Sequence, residues 1–306
     1  MNAFPRGLPM FRLAVLLLLS LLLNSLPAQD PQQPTADATE PPSEDWIWLR
    51  NPHLKVGLLR QSGGAIAWIS TASDEHNLIN HFDRGRLIQQ SWYGRPDGSD
   101  WNGQPWRWNP VQGGDWRGKS SKLLDQQVTT SHAQIRTQPV HWATGQPVED
   151  VIMEQTVTLQ QELVHIRFRF HYTGKIAHPA HHQELPALFV DPKYATLVTY
   201  DGSGPWTGQP VTRRHPGWPN EYHPMTEHWA AWVDDSDFGI GCYVPAARQL
   251  TCYRFGNGDE DRSACSYLAP IDTIAVMPGF EKTWDVWLTP GTTAVIRDRF
   301  RQLSER

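Results

Sequence analysis

Cysteine is scarce in this chain: three occur among 306 residues, at positions 242, 252 and 265. A small scaffold stapled by disulfides is therefore excluded, and the fold has to rest on an apolar core. Cys242 and Cys252 flank an expected strand–turn–strand and are candidates to pair, as are Cys252 and Cys265. Three buried thiols are the alternative. Charge is also thin, with 19% Asp, Glu, Lys and Arg and a net −5. No basic run occurs, which argues against nucleic acid as a partner. The chain has no Gly-x-Ser-x-Gly elbow, phosphate-binding Gly-rich loop or dinucleotide fingerprint. It also lacks His-Glu-x-x-His, Cys-x-x-Cys and calcium-loop patterns. The apolar setting of the three Cys argues against a thiol nucleophile.

Long apolar runs are missing except at the start. Arg6 and Arg12 precede an apolar run from Ala14 to Leu23, and Leu26-Pro27-Ala28 offers a cleavage site before Gln29. The run is too short for a comfortable membrane span. Residues 1–28 are thus expected to be a signal peptide, leaving a secreted or periplasmic protein with no span. Its removal takes the net charge from −5 to about −7. Residues 29–45 carry four Pro and no large apolar side chain, as in a disordered linker. Folded structure is expected over 46–306, as a single domain.

Helical periodicity is nearly absent there, and period two replaces it. In Leu163–Tyr172 the residues Val164, Ile166, Phe168, Phe170 and Tyr172 fall on one face. His165, Arg167, Arg169 and His171 fall on the other. Val151–Gln160 alternates similarly, and Gln161-Glu162 turns the two into a hairpin with one buried face. Further short strands recur along the chain, among them Leu54–Arg60, Gly64–Ser70, Arg86–Tyr93, Glu184–Val190, Ala264–Leu268, Thr273–Met277 and Lys282–Leu288, with Gly, Pro, Asn and Asp at most junctions. One helix is expected at the end, where Ile296, Phe300 and Leu303 share a face behind Thr292 or Thr293. The fold class is all-β: a large antiparallel sandwich with a short C-terminal helix.

The stretch from Asp83 to Asp115 is unusually rich in Trp, Gln, Asn and Gly. Flat indole faces beside groups that donate and accept hydrogen bonds suit a sugar, with its apolar C–H face and ring of hydroxyls. The expected contacts are Arg86, Gln89, Gln90, Trp92, Trp106, Trp108, Asn109, Gln112 and Asp115, with Trp206 on a separate turn. The competing reading is a long loop pinned by its own aromatic minicore. Arg86 fits either a uronate carboxylate or an internal Asp.

Gly63-Gly64-Ala-Ile-Ala-Trp-Ile-Ser followed by Asn77-Leu-Ile-Asn80, within one all-β domain of this size, resembles the galactose-mutarotase-like supersandwich. The resemblance covers about residues 54–93. It implies a carbohydrate-active protein, since that group holds sugar epimerases, glycoside hydrolase domains and polysaccharide lyases. The catalytic motifs of true mutarotases do not align here, so no catalytic role is carried over.

Acid and base candidates come instead from local chemistry. Glu184 opens an apolar strand, where a carboxylate needs a reason to be. Alternation places His182 on the same face, ~7 Å away along the strand. Pro186 signals an edge or a bulge. Glu227 and His228 precede a second apolar strand, behind a long loop rich in His and Trp. The structural alternative for Glu184 is a salt bridge to Arg167 or Arg169. His182 and Glu184 would also serve as two metal ligands, but no metal is expected beyond a structural Ca²⁺, which backbone and Asp oxygens would bind without a sequence pattern. The expected function is an exported glycan-degrading enzyme, a hydrolase or lyase acting on an oligosaccharide or polysaccharide. A non-catalytic carbohydrate-binding protein and a sugar epimerase are the alternatives.

Overall fold

A computed structural model describes residues 45–256 and 263–306. The expected signal peptide (1–28) and all but the last residue of the linker (29–45) lie outside the described residues. In chain order the strands are β1 Trp46–Arg50, β2 Leu54–Leu59, β3 Ala65–Thr71, β4 Gln89–Ser91, β5 Pro96–Trp101, β6 Gln104–Arg107 and β7 Pro110–Val111. They continue with β8 Lys122–Val128, β9 His132–Gln138, β10 Val140–His141, β11 Val151–Gln160, β12 Leu163–Tyr172, β13 His178–Val190 and β14 Thr196–Thr199. The last group is β15 Thr212–Arg214, β16 Glu221–Pro224, β17 Trp229–Val233, β18 Phe238–Tyr243, β19 Gln249–Phe255, β20 Cys265–Val276 and β21 Glu281–Thr292, followed by helix α1 Thr293–Ser304.

Two large antiparallel sheets result. One has nine strands in the order β15-β14-β17-β18-β21-β12-β11-β9-β8, and the other has seven, β10-β7-β4-β13-β20-β19-β16. The alternation in β11 and β12 explains how they meet. Their register runs from Val151↔Tyr172 to Gln160↔Leu163, with Gln161 in the left-handed region at the turn. The buried set Val164, Ile166, Phe168 and Phe170 enters the main core, where residues of the seven-stranded sheet such as Leu185, Leu188 and Leu268 join it. Trp92 stacks on Phe170 at 4.1 Å between ring centroids, inside that core.

The Gly63-Gly64 and Asn77–Asn80 motifs have a structural meaning. Both glycines are left-handed, and a Cβ would strike the Gln112 carbonyl at the first and Ile135 at the second. Asn77 accepts from the backbone of Ile69 and Ile79 and donates to the Ala67 carbonyl, tying the loop to β3. Ile79 then bridges to Val190, joining the β1–β3 sheet to β13.

Two expected strands, 264–268 and 273–277, are one strand, β20. Pro270 does not break it because it lies opposite the register shift in β13 between Glu184 and Leu188. No ladder N–H is asked of it on that side, and Pro186 of β13 sits in the same irregular stretch. The bulge expected at Pro186 is present, on an interior strand. The Arg86–Tyr93 strand is shorter than expected, Gln89–Ser91, since residues 83–86 form a turn closed by Asp83.

Alternation sends the remaining side chains of each sheet outward. Helix α1, capped by the Thr292 hydroxyl, lays Ile296 and Phe300 on Trp229 and Val198 on the outer face of the nine-stranded sheet. The outer face of the seven-stranded sheet carries Ala187, Phe189, Tyr267, Ala269 and Ile271, with Tyr253 against them. The three cysteines are buried and no disulfide joins them, so neither candidate pair forms. Among the described residues no helix is long and apolar enough to cross a membrane.

Candidate functional site

Glu184 stands on that outer face. It is registered with Ser91 of β4 on one side and Ile271 of β20 on the other. Directly paired residues share a face, so Ser91, Glu184 and Ile271 point the same way. Regular pairing over His181–Glu184 keeps His182 on that face too, as alternation required.

The Glu184 Oε1 atom accepts two phenols. Tyr93 donates at 3.0 Å and Tyr267 at 2.6 Å, and Ser91 is a third hydroxyl partner. Among the described residues no cation pairs with it, so the expected alternative of a bridge to Arg167 or Arg169 is not found; Arg169 pairs with Glu154 and Glu281. Burial raises the Glu184 pKa, and the three hydroxyls offset part of that rise. The residue as a whole is half-buried, while its carboxyl group is enclosed by these partners. Burial, and the adjoining carboxylate, hold the Tyr93 and Tyr267 phenols well above their ordinary pKa, so both stay protonated donors.

The chain positions these groups through amides. Gln183, fully buried, accepts from the Tyr93 N–H at 2.7 Å and donates to the Tyr93 carbonyl at 2.8 Å, fixing the backbone that carries the phenol. Asn109 donates to Ser91 and to the Trp92 carbonyl, and its own carbonyl accepts the Trp106 indole N–H at 3.2 Å. Trp106 in turn packs edge-on against Trp101, and Trp101 against Trp142. Asp97 of β5 accepts from His141 at 2.8 Å, which anchors this β5–β6 arm. An indole group therefore adjoins the Glu184 shell through Asn109. On the other side Tyr253 stacks at a tilt on Tyr267, with centroids 4.6 Å apart.

Several expected sugar contacts are placed elsewhere. Trp92 is fully enclosed, and Trp108 is stacked on the His178 ring at 4.0 Å and meets Tyr172 edge-on, so neither is a platform. Burial holds His178 down to a pKa of about 4, the behaviour of a core imidazole. Gln89 donates to the carbonyls of Arg84 and Gly85 and accepts from Gly113 N–H. Gln90 reaches across the core to the Glu154 and Arg169 carbonyls. Gln112 accepts from Gln90 N–H, and Asp115 from the N–H groups of Arg117 and Lys119. These buried polar side chains satisfy backbone in a loop-rich region, the competing reading of that stretch. Arg86 pairs with Asp83 at 3.3 Å, the internal partner rather than a free cation. Asn109, and Trp106 through it, are the members of the set linked to Ser91, a partner of Glu184.

Glu227 is not beside Glu184. It is completely enclosed next to α1, where Arg297 grips both oxygens at 2.9 and 2.7 Å. The indole N–H of Trp229 and the backbone N–H of Trp206 use its remaining lone pairs. A carboxylate so committed has no orbital left for a substrate, so its geometry is that of a structural ion pair. His228 adopts a left-handed backbone and bonds the Ala247 carbonyl at 2.8 Å, a turn role beside the same cluster. Trp206 borders a cavity of about 700 Å³ over α1, whose arginines 213, 297 and 301 are already paired with Asp237, Glu227 and Asp298. Among the described residues no group of three or more His, Cys, Asp or Glu is set to hold a metal ion.

Sequence reasoning missed Tyr267 and Gln183 and gave Tyr93 no role. Tyr93 belongs to the aromatic stretch, so its composition was a usable signal. Tyr267 lies far along the chain, and only the β13–β20 register brings it to Glu184.

Neither a protein-family model nor a curated protein matches the sequence. Solved structures do match the fold. A galactose mutarotase-like protein from Lactobacillus casei aligns with 80% of this chain and 100% of its own, at 12% identity and a TM-score of 0.51. A galactose mutarotase related enzyme from Lactobacillus acidophilus aligns with 81% of this chain and 98% of its own, at 10% identity and a TM-score of 0.54. The chain has the mutarotase-like β-sandwich fold.

Proposed function

We propose that the outer face of the seven-stranded sheet binds a sugar and that Glu184 moves protons on it. The observation that carries this reading is the Glu184 shell: a carboxylate on a half-buried residue, raised in pKa by burial, held by two phenols and, among the described residues, paired with no cation. A carboxylate whose pKa is raised is a stronger base than an ordinary one and can both take and return a proton. Tyr253, packed on Tyr267, and Trp106, linked to the shell through Asn109 and Ser91, supply faces for a sugar ring. The named similarity of the two solved relatives to galactose mutarotase agrees with a sugar ligand.

Proton transfer at a ring hydroxyl with isomerisation is the reaction class this arrangement favours. In it Glu184 as carboxylate removes the proton of the anomeric hydroxyl, the ring oxygen takes a proton from a second acid, and the ring C–O bond opens to the free aldehyde. Closure from the opposite face reverses each transfer, so the protein ends unchanged. His182, on the same strand face, is the candidate second acid. Hydrolysis would ask for a second carboxylate at a set distance, and Glu227, the one expected, is occupied by Arg297. Elimination would ask for a cation on a uronate, and Arg86 is engaged by Asp83. The runner-up is sugar binding without chemistry, which needs only the aromatic faces. The N-terminal segment adds export to the secreted or periplasmic space to the proposal.

The test follows anomer interconversion of several aldoses by NMR exchange at pH 7, with wild type and Glu184→Gln. An enzyme-dependent rate lost in the variant is expected. Binding without acceleration would favour the runner-up, and neither binding nor acceleration by any sugar would remove the reading.

A further inference from the structure

The Glu184 shell continues sideways across the sheet in an unbroken line of aromatic contacts. Tyr267 touches Glu184 through its hydroxyl, and its ring meets Tyr253 at 4.6 Å. Tyr253 meets Trp218 edge-to-face at 4.9 Å, and Trp218 also meets Phe255 at 5.5 Å. At the end of this line Trp218 is 62% exposed and Tyr222 50% exposed. Tyr222 is registered with Thr251 on β19 and sits 5.5 Å from the His182 ring. Strands are ~4.8 Å apart, so the line runs two to three strands, ~10–14 Å, from Glu184 to the sheet edge. That is longer than one sugar ring.

An exposed indole costs hydration free energy unless something covers it. Here its loop is built rather than loose. Gly217 N–H bonds Glu221 at 3.0 Å, Arg254 N–H bonds the Gly217 carbonyl at 3.1 Å, and Asn220 donates to Thr251 at 2.9 Å. These bonds hold the Trp218 loop onto β16 and β19. The bonded pair Asn220 and Thr251 supplies polar groups beside it, Thr251 on the same face as Tyr222. One open indole among fixed polar groups matches a sugar ring better than a flat apolar protein interface.

We infer that Trp218, with Tyr222, forms a second sugar subsite, and that the natural ligand is an oligosaccharide or glycoside whose terminal ring lies at Glu184. This rests on the sugar reading of Glu184 given above and names its substrate class. Stacking of one further ring predicts a gain of about three- to tenfold in affinity.

The experiment titrates matched mono-, di- and trisaccharides of the gluco, galacto and manno series by calorimetry. Wild type, Trp218→Ala, Tyr222→Ala and Glu184→Gln are compared, each checked for normal melting. In wild type the best series should bind three- to tenfold tighter as the disaccharide than as the monosaccharide, and Trp218→Ala should bring that ratio close to one. Trp218 emission should shift to the blue with disaccharide, a change that Trp218→Phe removes. Binding that depends on Glu184 but shows no gain with chain length, or a ratio untouched by Trp218→Ala, overturns the subsite and leaves the Glu184 reading standing. Absence of any sugar binding removes both. Trp218-dependent self-association, seen by sedimentation as a concentration-dependent dimer, would also overturn it by giving the indole a different cover.

Discussion

Glu184 and Glu227 look alike in sequence: each precedes an apolar strand and each has a His next to it or two residues away. Their surroundings are opposite. Glu227 is sealed beneath α1 and clamped by a guanidinium, an indole N–H and a backbone N–H. Among the described residues Glu184 is held by hydroxyls and by no cation, and burial raises its pKa. A buried carboxylate with a dedicated cation is stabilised as an anion and inert. One with only neutral donors binds its proton more tightly than an ordinary carboxylate and can exchange it. The partners, not the residue type or the local sequence, separate the structural glutamate from the chemical one.

The comparison is broken most sharply by exchanging each Glu for Gln. Glu184→Gln should lower sugar interconversion by ~10²–10⁴-fold, the range for removing a general acid–base group. Its fold should persist, because the amide oxygen still accepts both phenols; melting by circular dichroism checks this. An unfolded variant would make Glu184 as structural as Glu227. Glu227→Gln should cost ~3–5 kcal/mol in urea unfolding, since it leaves Arg297 half-buried without its anion. A loss below ~1 kcal/mol would contradict the clamp.

Two indoles sharpen the same contrast at smaller scale. Trp108→Ala opens a hole beside His178 and Tyr172 and should destabilise by ~3 kcal/mol. Any loss of sugar binding should follow the loss of fold. Trp106→Ala, on the partly exposed arm, should weaken sugar binding with little change in melting. Equal effects of the two on stability would argue that the arm, too, is core.

The smallest effect is on pH dependence. A carboxyl whose folded pKa is raised binds its proton more tightly in the native state than in the unfolded one. It therefore favours the fold below its unfolded pKa, and that advantage is lost as pH rises through the raised folded pKa. Wild type should lose stability relative to Glu184→Gln across that window and show a constant difference above it. A difference in the opposite direction would mean that Glu184 is stabilised as an anion.

The architecture was legible because period two and turn residues are local signals. The β11–β12 hairpin, the bulge at Pro186 and the cap and buried face of α1 were all written in short stretches. The Gly63-Gly64 and Asn77 motifs likewise encode left-handed turns and a side-chain staple that few other residues provide. The site was harder. His182 and Glu184 share one strand, so their common face could be derived from alternation alone. Tyr267 reaches Glu184 only through long-range register. Trp92, Trp108, Gln90 and Gln112 resemble sugar contacts in composition, yet they fill and satisfy a loop-rich core. An indole has one sequence signature and two uses, and burial decides between them. Glu227 misled for the same reason, because its partner Arg297 is 70 residues away.

Proton transfer to a sugar requires Glu184 to be a carboxyl raised in pKa and within the sugar's reach. Carbon-detected NMR of protein labelled at the glutamate carboxyl carbons, assigned through Glu184→Gln and titrated with and without sugar, measures this directly. The account predicts a Glu184 pKa above the ordinary carboxylate value that moves when sugar is added. An ordinary pKa that does not respond to any sugar would contradict it.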